Sequence, residues 1–155
     1  MKTHAIFQQQ GEGKSYWVLG DLYNFKVTGK ETNGAFTVVD QQIKPKSGPP
    51  PHIHHKEDEA FYILDGTFSF LNGDQQINAE AGSFIYIPKG TLHTFQNISD
   101  REGRLLVVIT PAGLEDFFYE IGVPVAGASS APVPDQSTIE KVLKLASSYN
   151  MEIRL

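Results

Sequence analysis

The pattern of apolar and polar residues changes once along the chain, near residue 110. Before that point, short segments rich in β-branched and aromatic residues alternate with turns such as Asn33-Gly34, Asp65-Gly66 and Asn72-Gly73. These dipeptides supply the positive φ of tight hairpins. The pattern predicts strands over residues 15–19, 21–27, 35–43, 60–64, 67–71, 84–87, 92–97 and 104–110. Short strands at this spacing leave no room for crossover helices, so we expect an all-β sandwich or barrel.

After residue 111 the apolar period becomes helical. Leu114, Phe117, Phe118 and Ile121 share one face of a short amphipathic helix. Residues 122–134 are rich in Gly, Ala, Ser and Pro, which is typical of a linker. We expect a single domain over residues 1–155, with the barrel over about 15–110 and a helical tail over about 113–150.

A second helix is predicted to begin at Ser137, because Glu140 three residues later completes a capping box. Its apolar face carries Ile139, Val142, Ala146 and Tyr149. Both tail helices need an apolar surface to cover. The pattern leaves two arrangements open: a lid over the mouth of the barrel, or an interface in a homodimer, which is the assembly we predict.

Composition excludes several classes of function. The chain has 155 residues, is 40% hydrophobic and carries a net charge of −5, so it can bury a core and is a poor partner for nucleic acid or an anionic membrane. Cysteine is absent, which excludes disulfides, thiolate metal sites and cysteine nucleophiles. No apolar run approaches the ~20 residues of a membrane helix, and the N-terminus does not resemble a signal peptide. We therefore expect a cytoplasmic protein whose partner is a small-molecule substrate.

Histidines concentrate in two short windows. His52 and His54 are two residues apart in an extended segment, so both imidazoles lie on one face and His55 lies on the other. Glu59 can return a carboxylate to the same point from the next strand. The second window contributes His93 in a strand. Together these residues predict a site for one divalent transition metal ion.

The donor set does not identify the metal. Three imidazoles and one carboxylate suit iron, manganese, nickel, cobalt or zinc. An octahedral ion held by four protein ligands keeps two positions for small molecules, which is characteristic of catalytic rather than structural metal sites.

The two windows resemble the two motifs of the cupin superfamily. The first has the form H-x-H-x4-E-x6-G and ends at Gly66, and the second has the form G-x5-P-x-G-x2-H-x3-N and begins at Gly82. The family motif usually begins with a glycine six residues before the first histidine, where this chain has Lys46, with Gly48 two residues later. The resemblance covers about residues 48–97. It implies an antiparallel jelly-roll β-barrel with His52, His54, Glu59 and His93 as inward-pointing metal ligands, followed here by a short C-terminal helical extension.

Residues 49–64 and 113–118 further resemble single-domain cupins related to quercetin 2,3-dioxygenase. This resemblance implies a metal-dependent dioxygenase acting on an aromatic or enolisable small molecule, with Glu59 as the catalytic proton acceptor. Two other functions stay open: a cupin that binds a small molecule without turning it over, and a metal-dependent isomerase or lyase.

The strand period also predicts the walls of the pocket. Phe61, Ile63 and Phe95 share faces with the predicted ligands, so we expect them to line the substrate pocket. No lysine or arginine falls on the ligand face of either window, which favours an apolar or aromatic substrate. We expect Asn97 to hold a strand by hydrogen bonds. The simplest interpretation of Glu57 and Asp58 is a solvated turn, and a carboxylate that supports the metal ligands from behind is the alternative for either residue.

Overall fold

A computed structural model describes residues 4–126 and 130–155. These residues form two antiparallel sheets with few helices, so the predicted all-β barrel is confirmed. The strands are β1 Lys14–Val18, β2 Asp21–Val27, β3 Thr37–Ile43, β4 His52–His54, β5 Asp58–Asp65, β6 Thr67–Asn72, β7 Gln75–Glu80, β8 Phe84–Ile87, β9 His93–Asn97, β10 Gly103–Thr110, β11 Val123–Pro124 and β12 Met151–Ile153. The helices are α1 Gly29–Thr32, α2 Leu114–Ile121 and α3 Gln136–Ala146, followed by a 3-10 turn at Ser147–Tyr149.

The larger sheet has the order β11-β1-β2-β3-β10-β5-β8, and the smaller has the order β12-β4-β9-β6-β7. Their inner faces carry the core, because alternate residues of each strand point inward. On β10, for example, Leu105, Val107 and Ile109 are buried while the residues between them are half-buried. The faces meet over the rings of Phe61, Phe68, Phe70 and Phe95.

Three strands have no signal in the apolar pattern. The strand β7 has the polar sequence Gln-Gln-Ile-Asn-Ala-Glu and forms by pairing with β6 along its whole length. The two-residue β11 pairs with β1, and β12 pairs with β4. Each depends on a partner strand elsewhere in the chain. The short helix α1 lies where only turns were predicted, held by a capping box between Thr28 and Glu31.

The tail contains both predicted helices, but the predicted start of the second is wrong. Helix α3 begins after Asp135, not Ser137, because the Asp135 carboxylate accepts a hydrogen bond of 2.9 Å from the backbone N–H of Thr138. The Ser137 hydroxyl instead donates to that carboxylate. Part of the predicted linker, residues 127–129, lies outside the described residues.

The segment that leads into β4 is held close to β9. A Cβ atom on Gly48 would lie 1.9 Å from the carbonyl oxygen of Phe95, so only glycine fits there. Lys46, which stands where the cupin motif usually has glycine, adopts φ 64°, in the left-handed region. As expected, the amide of Asn97 ties strands together, donating to the carbonyl oxygens of Ile43 at 2.9 Å and Arg101 at 2.8 Å.

Across residues 4–126 and 130–155, every helix is too short or too polar to cross a bilayer.

Candidate metal centre

Three strands bring the four predicted ligands to one point. His52 and His54 lie two residues apart on β4, and His93 on β9 is the register partner of His52. Glu59 reaches the same point from β5 in the opposite sheet. One potential ligand atom from each residue lies within 4.8 Å of the others, and all four residues are buried. The structure therefore places the four side chains as a site that can hold one metal ion.

Backbone carbonyl groups orient two of the imidazoles. His52 Nδ1 donates to the carbonyl oxygen of Pro50, and His93 Nδ1 donates to that of Thr91, both at 2.9 Å. Each bond leaves Nε2 for the centre. His93 Nε2 lies 2.8 Å from Glu59 Oε2, and His54 Nε2 lies 3.5 Å from the same oxygen. The carboxylate is thus the group that the imidazoles surround.

Burial and proximity set the charges of the centre. Burial lowers the pKa of His52 to about 3, and burial also lowers the pKa of His54. Burial alone would raise the pKa of Glu59, but the neighbouring His54 and His93 outweigh it and lower this pKa to about 2. Burial alone would lower the pKa of His93, but the hydrogen bond to the Glu59 carboxylate outweighs it and raises this pKa. His52 and His54 as neutral imidazoles and Glu59 as an ionised carboxylate match what metal ligation requires, and His93 matches it in its neutral form.

A second carboxylate lies behind His54. His54 Nδ1 and Glu57 Oε2 are both buried, neither has a hydrogen-bond partner, and they are 3.8 Å apart. The interpretation of Glu57 as a solvated turn residue is therefore wrong: it is 3% exposed, with its carboxylate directed at His54. A metal-bound histidine generally donates its other N–H to a carboxylate or carbonyl oxygen. At 3.8 Å the pair is not hydrogen-bonded, but it sets a carboxylate beside the nitrogen of His54 that faces away from the centre, so the residues present fit a metal ion.

His55 and Asp58, which are next to predicted ligands in the sequence, point away from the centre and make other contacts. His55 lies on the outside, as expected, with its Nε2 3.3 Å from Glu152. Asp58 accepts a hydrogen bond of 2.8 Å from the backbone N–H of Lys89, which ties the turn of the second motif to the first.

A cavity opens beside the candidate centre, lined by His52, His54 and Glu59. Phe61 and Phe95 line it, as predicted, and their rings pack against Phe70 behind them. Ile63, predicted as a third wall residue, does not line the cavity. It is fully buried in the core, where Leu105 is its register partner on the neighbouring strand.

The tail supplies the rest of the apolar wall. Phe117 and Ile121 of α2, Val142 of α3 and Met151 of β12 all line the cavity. Phe117 is 3% exposed, so the apolar face of α2 is covered within the same chain rather than left for a partner. Of the two arrangements that the sequence left open, the structure has the helices over the barrel. The sequence predicted the apolar face of α2, but it could not show which surface this face covers.

Two polar side chains from the larger sheet join this wall. Tyr23 on β2 and Gln41 on β3 are register partners, are both buried, and both line the cavity. A polar residue at an inward position of β3, between Val39 and Ile43, was the sequence signal that could have identified Gln41. The described residues around this cavity include no lysine or arginine, which agrees with the expectation of an apolar ligand.

Comparison with known proteins places this geometry in context. The family model described as a cupin domain matches residues 39–109. The chain is 32% identical over 153 residues to quercetin 2,3-dioxygenase from Aspergillus japonicus, a match that covers 86% of this chain and 43% of that protein. It is 23% identical over 145 residues to quercetin 2,3-dioxygenase from Bacillus subtilis strain 168, covering 94% of this chain and 43% of the relative. The chain thus spans less than half the length of these curated relatives.

Solved structures share the fold at lower identity. KdgF from Halomonas sp. superposes with a TM-score of 0.64 at 14% identity, over 74% of this chain and 99% of that one. A protein described as a predicted oxalate decarboxylase from Thermotoga maritima superposes with a TM-score of 0.63 at 18% identity, over 69% of this chain and 99% of that one. These likenesses support the architecture and leave the chemistry to the site.

Proposed function

The protein is a cupin that resembles quercetin 2,3-dioxygenases, and from this premise we propose that it is a metal-dependent dioxygenase acting on an aromatic or enolisable small molecule. The observation that carries the proposal is the buried cluster of three histidines and Glu59, three members of which, His52, His54 and Glu59, line a cavity walled by Phe61, Phe95 and Phe117. An apolar, aromatic cavity with few polar groups suits a flat aromatic ligand. The likeness to two quercetin dioxygenases points to the same class of substrate.

His52, His54, Glu59 and His93 would hold the metal. A redox-active divalent ion, when bound, would bring the organic substrate and dioxygen together. The aromatic walls would orient the substrate and exclude water from it. Glu59 would accept the proton of the substrate hydroxyl, a role that its ionised state and its position on the cavity wall both support.

The first test is metal content together with oxygen uptake. The protein is purified without chelator or nickel resin, its metals are measured by mass spectrometry, and oxygen consumption is followed with a flavonol. We expect iron, manganese, nickel or cobalt near one ion per chain, with oxygen uptake that depends on the flavonol. Stoichiometric zinc without uptake would contradict the proposal and favour an isomerase or lyase. A metal-free protein that still binds small molecules would favour a binding role.

The second test addresses Glu59. The Glu59→Gln variant should retain part of its metal and lose most of its oxygen uptake, because the amide keeps one oxygen ligand but cannot accept a proton. Glu80→Gln is the matched control, since Glu80 is exposed on β7. Full activity in Glu59→Gln would reject the proton-acceptor role even if the metal assignment holds.

A further inference from the structure

Gln41 is a buried polar residue that the fold does not use. It lies on β3 with Val39 and Ile43 on the same inward face, and it is 4% exposed. Its side chain lines the cavity beside the metal ligands. Its Oε1 atom is buried and has no hydrogen-bond partner.

Among the described residues, Asn24 Oδ1 and Trp17 Nε1 are also buried without a hydrogen-bond partner, but neither residue lines this cavity. Several other buried polar side chains are satisfied. Thr37, on the same face of β3, donates to Glu115 at 2.7 Å, and Asn97 donates to two carbonyl oxygens. These contacts hold elements together.

An unpartnered buried acceptor instead destabilises the folded state, so each one needs an explanation. Gln41 combines such an acceptor with a place on the cavity wall beside His52, His54 and Glu59, which indicates a group kept for a ligand.

The surroundings of Gln41 define the chemistry of that ligand. Tyr23 is its register partner on β2 and is a second polar side chain in a wall that is otherwise mostly apolar. The absence of lysine and arginine from the described lining argues against an anionic group here. A hydroxyl fits best, because it can donate to the carboxamide oxygen and can also accept from the carboxamide nitrogen.

We propose that the Gln41 carboxamide is a specificity-determining group that hydrogen-bonds a hydroxyl of the organic substrate remote from the metal. This assignment rests on the proposed function only in taking the cavity as the substrate site. The Gln41 carboxamide favours polyhydroxylated aromatic compounds over analogues whose only oxygen atoms are those that would bind the metal. A site built to pair with a hydroxyl discriminates against the analogue that lacks it, because its own polar group then stays unpaired.

The test compares two flavonols that differ in their additional hydroxyl groups. Quercetin and 3-hydroxyflavone are titrated calorimetrically, without oxygen, into the protein as purified, the Gln41→Leu variant and the Gln42→Leu variant. Gln42 is the matched control, since it is the neighbouring glutamine on the opposite face of β3. We expect the wild-type protein and Gln42→Leu to bind quercetin about tenfold more tightly than 3-hydroxyflavone, as one hydrogen bond in a closed site predicts. In Gln41→Leu the two affinities should agree within about twofold.

Thermal unfolding separates a binding role from a structural one. If Gln41 serves the ligand, then Gln41→Leu removes an unpaired buried group and raises the Tm of the ligand-free protein by about 3 °C. If Gln41 serves the fold, the same change lowers the Tm. A lowered Tm, or a quercetin preference that persists in Gln41→Leu, would overturn the proposal, as would the absence of any preference in the wild-type protein.

Ligand binding and oxygen uptake are measured separately, so a failure of the dioxygenase proposal can be told apart from a failure of the Gln41 proposal. A quercetin preference that depends on Gln41, without oxygen uptake, would support the role of Gln41 and reject the dioxygenase. Oxygen uptake with both flavonols at equal affinity would support the dioxygenase and overturn the role of Gln41.

Discussion

The carboxylate of Glu115 fastens helix α2 to the barrel, and its removal should loosen one wall of the cavity. Glu115 Oε1 accepts a hydrogen bond of 2.8 Å from the backbone N–H of Gly29. Its Oε2 accepts hydrogen bonds of 2.7 Å from the Thr37 hydroxyl and from the backbone N–H of Gly113. The same helix carries Phe117 into the cavity. One buried carboxylate therefore joins the loop before α2, the start of α1 and the strand β3.

The Glu115→Gln variant keeps the length of the side chain but replaces one acceptor oxygen with a donor. Hydrogen bonds to a charged group contribute about 1.5–3 kcal/mol each, and water can replace part of the loss near the half-buried Gly29. We expect the free energy of unfolding to fall by about 3 kcal/mol, which lowers Tm by about 6–12 °C for a chain of this size. The matched control is Asp116→Asn, at the exposed neighbouring position, which should change the free energy of unfolding by less than about 0.5 kcal/mol.

The effect should depend on pH. Burial tends to raise the pKa of Glu115, but the hydrogen bonds from Gly29, Thr37 and Gly113 outweigh it and place this pKa below the ordinary value of 4.5. A depressed folded-state pKa adds stability above the unfolded pKa, and that stability is lost as the pH falls through the folded value. The difference in free energy of unfolding between wild type and Glu115→Gln should be full at pH 7 and shrink below pH 4.5. Urea unfolding at several pH values measures it. Equal stability at pH 7, or a difference that does not change with pH, would refute the reasoning.

Three further predictions follow from particular contacts. Glu57→Gln should weaken metal affinity by about 10–100-fold, because the buried amide supports the His54 imidazole less well than a carboxylate does; unchanged affinity in a competition titration would show that the pair is incidental. Lys46→Gly should raise Tm by about 2–4 °C, since it relieves a left-handed backbone that costs a side-chain-bearing residue about 1 kcal/mol; a lower Tm would contradict this. The homodimer stays a prediction, now assigned to the outer face of the larger sheet, where Tyr62 and Phe84 are exposed; light scattering should give a dimer mass that Phe84→Glu reduces to the monomer, and a monomeric wild type would reject it.

Most residues of the candidate metal centre could be predicted from the sequence, because their arrangement follows from the spacing of neighbouring positions. The spacing of His52 and His54 sets both on one face of any strand, and the turn after them is short enough to return Glu59 to the same place. Phe61 follows from the same period. Local spacing could not show that Glu57 is buried, since that depends on how the turn packs.

The sequence by itself determined the strand class, the two tail helices and the four residues that can hold a metal, because periods of 2 and 3.6 residues are properties of neighbouring positions. Only the tertiary structure decided that α2 and α3 cover the cavity, that β12 completes the smaller sheet beside His54, and that Gln41 lines the cavity. An apolar stripe specifies that a face must be buried but not against which surface. The partner is selected by long-range packing, where many residues contribute small energies that no local pattern contains.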